Sequence, residues 1–144
     1  GSLPYGYFYP DLKKTSLVMV AGGIAIAPIR SIIVDTLRTS STRKIILLYC
    51  NKTKEETVFK NEFNDLMLTY VGRFEVRYYV TKEQAMLGEE NGRIPISHIT
   101  EKTRDLTERE YFICGSIAFV RYYWKGLREL GVREDTIYTE AFFN

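Results

Sequence analysis

Leu17-Val18-Met19-Val20-Ala21-Gly22-Gly23-Ile24-Ala25-Ile26-Ala27-Pro28 is the stretch that decides the fold. Its five leading apolar residues predict a buried strand. The strand breaks at Gly22-Gly23, and Pro28 then opens an amphipathic helix running from Ile29 to Leu37. Proline suits a first helical turn, where its missing N–H has no partner to lose. Strand, glycine turn, helix is how α/β proteins build a phosphate site. The glycines let backbone approach a ligand, and the helix N-terminus offers free N–H groups and positive dipole. The segment lacks the G-x-G-x-x-G spacing and the lysine and hydroxyl of a P-loop. Taken alone, it fits either a phosphate site or a turn that merely connects.

Outward from this segment, strand and helix alternate. Ile45 to Cys50 is a continuous apolar run of the kind found in a central parallel strand. Phe59, Phe63, Leu66, Met67 and Tyr70 fall at helical spacing within Glu55–Tyr70. Phe74, Val76, Tyr78 and Val80 alternate with more polar neighbours, which predicts a strand wet on one face and near a sheet edge. Residues 81–93 read as a polar loop, and Ile94–Thr103 as a short helix or turn. Glu110–Cys114 is a further strand. Val120, Tyr123, Trp124, Leu127 and Leu130 mark a long helix stopped by Gly131, and Thr136–Glu140 closes the chain as a short strand.

Four strand–helix units and a fifth strand imply an α/β fold: a doubly wound, five-stranded parallel sheet of order 3-2-1-4-5, with helices on both faces. Its switch point lies between strands 1 and 4, where ligands of such sheets sit. Strand 1 ends at Gly22-Gly23 and strand 4 at Cys114-Gly115. The two turns therefore converge, and the convergence favours a ligand site.

Bulk properties narrow the class. The 144 residues make one domain, 45% hydrophobic and 26% charged, with a net charge of +2. Interspersed charge of this kind calls for neither nucleic acid nor a membrane surface. We expect no membrane insertion and a cytoplasmic location. Two cysteines, Cys50 and Cys114, cannot form a zinc or iron–sulfur cluster by themselves, and the single His98 is read as a surface or cap residue. We give Gly1-Ser2, which has the look of a cloning scar, no weight.

The segment Gly22-Gly23-Ile24-Ala25-Ile26-Ala27-Pro28 resembles the Gly-Gly-Thr-Gly-Ile-Thr-Pro turn of the ferredoxin–NADP reductase family. Cys114-Gly115-Ser116-Ile117-Ala118-Phe119 resembles that family's Cys-Gly-x-x-x-Met, and Tyr138-Thr139-Glu140-Ala141-Phe142 its Tyr-x-Glu-x-Phe ending. Leu3-Pro4-Tyr5-Gly6-Tyr7-Phe8 is similar to the junction by which the chain leaves the flavin domain. The resemblance covers essentially the whole chain and implies a junction over 1–10 and an NAD(P)-binding domain over 11–144. It implies further that NADPH or NADH binds here and passes a hydride to FAD or FMN on a separate domain of the same polypeptide. That flavin would serve a downstream acceptor, protein or small molecule. No Arg-x-Tyr-Ser flavin motif is present, so this chain is expected to be the pyridine-nucleotide half and not to turn over alone.

The resemblance also implies roles. Gly22, Gly23, Ile24, Ala25 and Pro28 would face pyrophosphate and nicotinamide ribose. Ile24 and Ala27 stand where the family has threonines, and each lost neutral hydrogen bond costs roughly 0.5–1.5 kcal/mol. Ala25 adds a Cβ where the family has glycine. Cys114 would lie beside the nicotinamide, with a small buried hydrophobe as the alternative reading. Gly115 would keep the backbone close there. Ser116 is a natural N-cap that could also reach a phosphate. Phe119 is read as packing. Asn51-Lys52 follows strand 2 where an NAD site would carry an acid, and Thr81-Lys82 resembles a Ser-Arg pair that receives the 2′-phosphate, so the pattern leans to NADPH, although Glu83 opposes it. Glu140 would approach the flavin and relay a proton. Phe142 and Phe143 would pack on the flavin or close the core. Two alternatives compete. One is a degenerate copy acting as a regulatory or docking module, favoured by Ile24, Ala25 and Ala27. The other is a flavodoxin-like signalling domain, which the absence of acids at the end of strand 1 argues against.

Overall fold

A computed structural model describes residues 16–23, 26–104 and 108–142 of the chain. The expected junction, Ile24, Ala25 and Phe143 lie outside the described residues.

The strands are β1 (Ser16–Gly22), β2 (Ile45–Asn51), β3 (Phe74–Val80), β4 (Glu89–Asn91), β5 (Arg109–Ser116) and β6 (Ile137–Phe142). The helices are α1 (Ile26–Thr39), α2 (Lys60–Thr69), α3 (Ile96–Glu101) and α4 (Ile117–Glu129). All pairings are parallel, and the sheet order is β4-β3-β2-β1-β5-β6. The expected order of five strands is present, with β5 and β6 as the expected strands 4 and 5. One correction applies: the loop expected over 81–93 contains β4, so the sheet has six strands. β4 pairs with only Tyr78, Tyr79 and Val80, leaving the first half of β3 as the edge.

The odd and even positions of the strands divide the core. Leu17, Met19 and Ala21 of β1 join Leu47, Tyr49, Phe112 and Cys114 beneath α1 and α2. Val18 and Val20 join Leu48, Cys50, Tyr111 and Ile113 beneath α3 and α4. Leu17 through Ala21 are fully buried, at roughly 1.5–3 kcal/mol for each large side chain removed from water. A central strand buried on both faces is a continuous apolar run for this reason.

Local chemistry sets the helix limits. Pro28 falls in the first turn of α1, as expected. The Arg73 guanidinium closes the other end, donating to the carbonyls of Leu37 (3.2 Å), Ser40 (2.6 Å) and Arg43 (3.1 Å). α2 starts at Lys60 rather than Glu55. Thr53, Glu56 and Thr57 bond one another in a turn, and Phe59 then adopts a left-handed φ of 64°. Ser116 caps α4 by accepting from the Phe119 amide at 3.1 Å, and Gly131 follows that helix at a φ of 91°.

Candidate functional site

A crevice of about 700 Å³ opens at the carboxyl ends of the strands. Its wall includes Gly22 and Gly23 from the first turn and Gly115 and Ser116 from the fifth strand. Asn51, Lys52 and Thr81 also contribute, from the ends of β2 and β3. The two glycine turns expected to converge do so, because β1 and β5 are neighbours with Ala21 paired to Cys114.

The two glycines of the first turn differ in physical role. Gly23 has a φ of +64°, and nothing lies within 4 Å of where a Cβ would stand. Its backbone is bare toward open space, the condition for close approach by a ligand. At Gly22 a Cβ would lie 2.7 Å from Phe119 Cε2, and at Gly115 a Cβ would lie 2.6 Å from Phe119 Cδ1. Those two positions are glycine because an aromatic ring fills the space.

Backbone bonds stitch the outer wall together. The Thr81 amide donates to the Asn51 carbonyl at 3.0 Å, and the Lys82 amide to the Lys52 carbonyl at 2.9 Å. The Glu83 carboxylate accepts from the Lys54 amide at 2.5 Å, so the acid expected to oppose an anion is tied to the neighbouring loop. Asn51 lies buried at the crevice, its carboxamide interacts with the Tyr49 hydroxyl, and the described residues offer it no closer hydrogen-bond partner.

Charge in the crevice comes from Lys52 and Arg93, set against Glu56. The Arg93 guanidinium lies 4.2 Å from the centre of the Tyr122 ring, a cation–π contact that orients it. The volume and the mixture of glycine backbone, aromatic rings and a few polar groups are those of a small-molecule site.

Four expected site residues stand off the wall. Cys114 is fully buried on the α1 face, paired in register with Glu140. Burial, assisted by the Glu140 carboxylate, pushes its thiol up to about 12, so it stays protonated near neutral pH. Lys82 is exposed beside Thr81, and Pro28 is half-buried in α1. The cysteine that does reach the crevice is Cys50, along with Arg93, Glu56, Phe119, Tyr123 and Phe142. Arg93, Glu56 and Tyr123 carry no motif; only the fold brings them together. His98 sits on α3 with Nδ1 at 3.3 Å from the Tyr79 hydroxyl and 3.8 Å from Glu90, away from the crevice wall.

Comparison with known proteins agrees with this geometry. The family model described as oxidoreductase NAD-binding domain matches residues 19–125. A flavohemoprotein of Rhizobium meliloti (strain 1021) is 25% identical over 146 residues, covering 96% of this chain and 35% of the relative. The cytochrome P450 reductase GcoB of Amycolatopsis superposes with a TM-score of 0.84 at 18% identity, over 100% of this chain and 43% of the other. The Flavohem-like-FAD/NAD binding domain of nitric oxide dioxygenase from Vibrio cholerae O1 biovar El Tor gives a TM-score of 0.77 at 19% identity, over 99% and 56% respectively. The chain thus spans about a third of the curated relative's length. Among the described residues no helix is long and apolar enough to cross a membrane.

Proposed function

We propose that this chain, which belongs to the oxidoreductase NAD-binding domain family, holds NADPH or NADH in the crevice at the carboxyl ends of its sheet and presents the nicotinamide to a flavin on a separate domain. When bound, the dinucleotide supplies a hydride, which FAD or FMN would accept and pass to a downstream electron acceptor. The observation that carries the reading is the meeting of the Gly22-Gly23 and Gly115-Ser116 turns in one crevice at the carboxyl ends of β1 and β5.

In this reading Gly23 brings bare backbone to the pyrophosphate near the start of α1, and Ile24, Ala25 and Pro28, which follow it in the sequence, belong to the same binding segment. Asn51 and Lys52 line the adenosine half, with Lys52 supplying positive charge. Thr81 and Lys82 receive a 2′-phosphate, which favours NADPH over NADH; a hydroxyl and an ammonium bind phosphate through charge-assisted hydrogen bonds. Cys114 and Glu140 lie beneath the nicotinamide end. With its proton held to about 12, the thiol is a small neutral neighbour and not a nucleophile. The Glu140 carboxylate acts electrostatically on that thiol.

Calorimetric titration of the chain with NADPH, NADH and 2′,5′-ADP tests this reading. Binding of all three is expected. A Thr81→Ala/Lys82→Ala variant should lose about tenfold or more in NADPH and 2′,5′-ADP affinity, with NADH changed by less than about twofold. Absence of binding at millimolar ligand would favour a degenerate domain kept for docking. Repeating the titration on flavin-loaded full-length protein would then separate that outcome from a site completed by the flavin domain.

A further inference from the structure

We propose that Phe119 is a positioning residue of the crevice, a ring wedged between the Gly22 and Gly115 turns that sets how the nicotinamide half of the dinucleotide can lie. The inference rests on the dinucleotide reading given above and assigns to this ring a task that packing alone would not.

Three observations carry it. The ring fills the Cβ space of two glycines at once, at 2.7 Å for Gly22 and 2.6 Å for Gly115, and these glycines end adjacent strands. Neither turn can shift toward the other without striking the ring. The ring itself is fixed from behind: it lies 4.6 Å from the Tyr123 ring, whose hydroxyl donates to the Ile94 carbonyl at 2.8 Å. Tyr123 is fully buried, so this support is part of the α4 core. Phe119, in contrast, is only partly buried and forms crevice wall. One edge of the ring is therefore held by the core and the other is offered to whatever enters between the turns.

The placement separates the two halves of the crevice. Phe119 touches the glycine turns of β1 and β5, whereas Asn51, Lys52 and Thr81 line the wall at β2 and β3. Removing the ring should disturb the nicotinamide end and leave the adenosine end alone. A ring that served only to stabilise the fold would affect both ends equally or neither.

The test combines ligand dissection with a stability cycle on the full chain. In Phe119→Ala, NADPH and NADH affinities should fall about tenfold, while 2′,5′-ADP affinity stays within about twofold. Phe119→Leu should show the same split at about threefold, and it carries the test should the alanine variant fail to fold. Gly22→Ala should lower the melting temperature in the wild-type background but not in the Phe119→Ala background, because the added Cβ then has room. Equal losses for all three ligands, or no loss for any, would overturn the positioning role, as would the same melting decrement for Gly22→Ala in both backgrounds. Failure of the wild-type chain to bind any of the three would instead overturn the dinucleotide reading, and this inference with it.

Discussion

Two clefts of nearly equal size lie at opposite ends of the sheet, about 700 Å³ at the carboxyl end and about 710 Å³ at the amino end of β5. Volume does not tell them apart; the state of their polar groups does. At the amino end, Arg109 donates to the Thr103 carbonyl at 2.9 Å, and Arg133 grips Asp135 with two bonds of 3.0 Å. Glu110 there accepts from buried Arg43 at 3.3 Å and from the Tyr138 hydroxyl at 3.1 Å. These charges already have partners within the chain. At the carboxyl end the wall is glycine backbone from two turns, with the Asn51 amide buried beside them. Charges already engaged within the fold have little left for a ligand, whereas bare glycine backbone lets one approach closely.

The contrast can be broken most forcefully at Glu110. Replacing it with alanine breaks its ion pair with the Arg43 guanidinium, whose side chain is 1% exposed, and should cost about 3–5 kcal/mol in a denaturant titration. Nucleotide affinity of the remaining folded protein should be unchanged. Gly115→Ala comes next. Its Cβ would meet the Phe119 ring, and overpacking of this kind costs about 1–3 kcal/mol, read as a lower unfolding midpoint.

Alkaline pH gives a third outcome. Folded Cys114 keeps its proton to about 12, against an ordinary thiol value of 9.0. Above the unfolded value the folded state thus binds more protons than the unfolded state, so stability falls as pH rises from 9 toward 12. Burial raises Cys50 in the same direction, and the buried tyrosines Tyr78, Tyr79 and Tyr123 add to the fall above their ordinary value of 10.0. The interval from 9 to 10 therefore isolates the thiols, and Cys114→Ala should flatten the slope of unfolding free energy there.

The smallest effect on stability belongs to the carboxyl-end cleft. Asn51→Leu replaces a buried amide with an apolar side chain of similar size and should shift stability by less than about 1 kcal/mol, in either direction. The same variant should weaken NADPH binding by about tenfold. A large loss of stability would mean that Asn51 is structural and that the two clefts do not differ as described.

The framework of this comparison was legible in the sequence because it rests on local signals. Leu17–Ala21 and Ile45–Cys50 are apolar without interruption, Pro28 and Ser116 mark helix starts, and Gly131 marks a stop. Each of these reflects backbone chemistry within a few residues. β4 was not legible. Glu89-Glu90-Asn91 has no apolar alternation and is a strand only because the backbone of Tyr78–Val80 offers it partners. The site was half legible. Both glycine turns were visible as motifs, but motif alone does not say which side of a strand a residue faces. Cys114 falls on the α1 face and Cys50 on the α4 face, so the unremarked cysteine is the one that reaches the crevice. Arg93 and Tyr123 are brought there by a loop and a helix far apart in the chain, and no spacing rule connects them.

Amide chemical-shift mapping during titration with NADPH tests the central claim most directly, since it reports on both clefts in one experiment. We predict that the largest changes fall on Gly22, Gly23, Asn51, Thr81 and Gly115, with Arg109, Tyr111 and Val132 at the opposite cleft unmoved. Changes centred on the amino-end cleft, or none at either end with millimolar ligand, would contradict it.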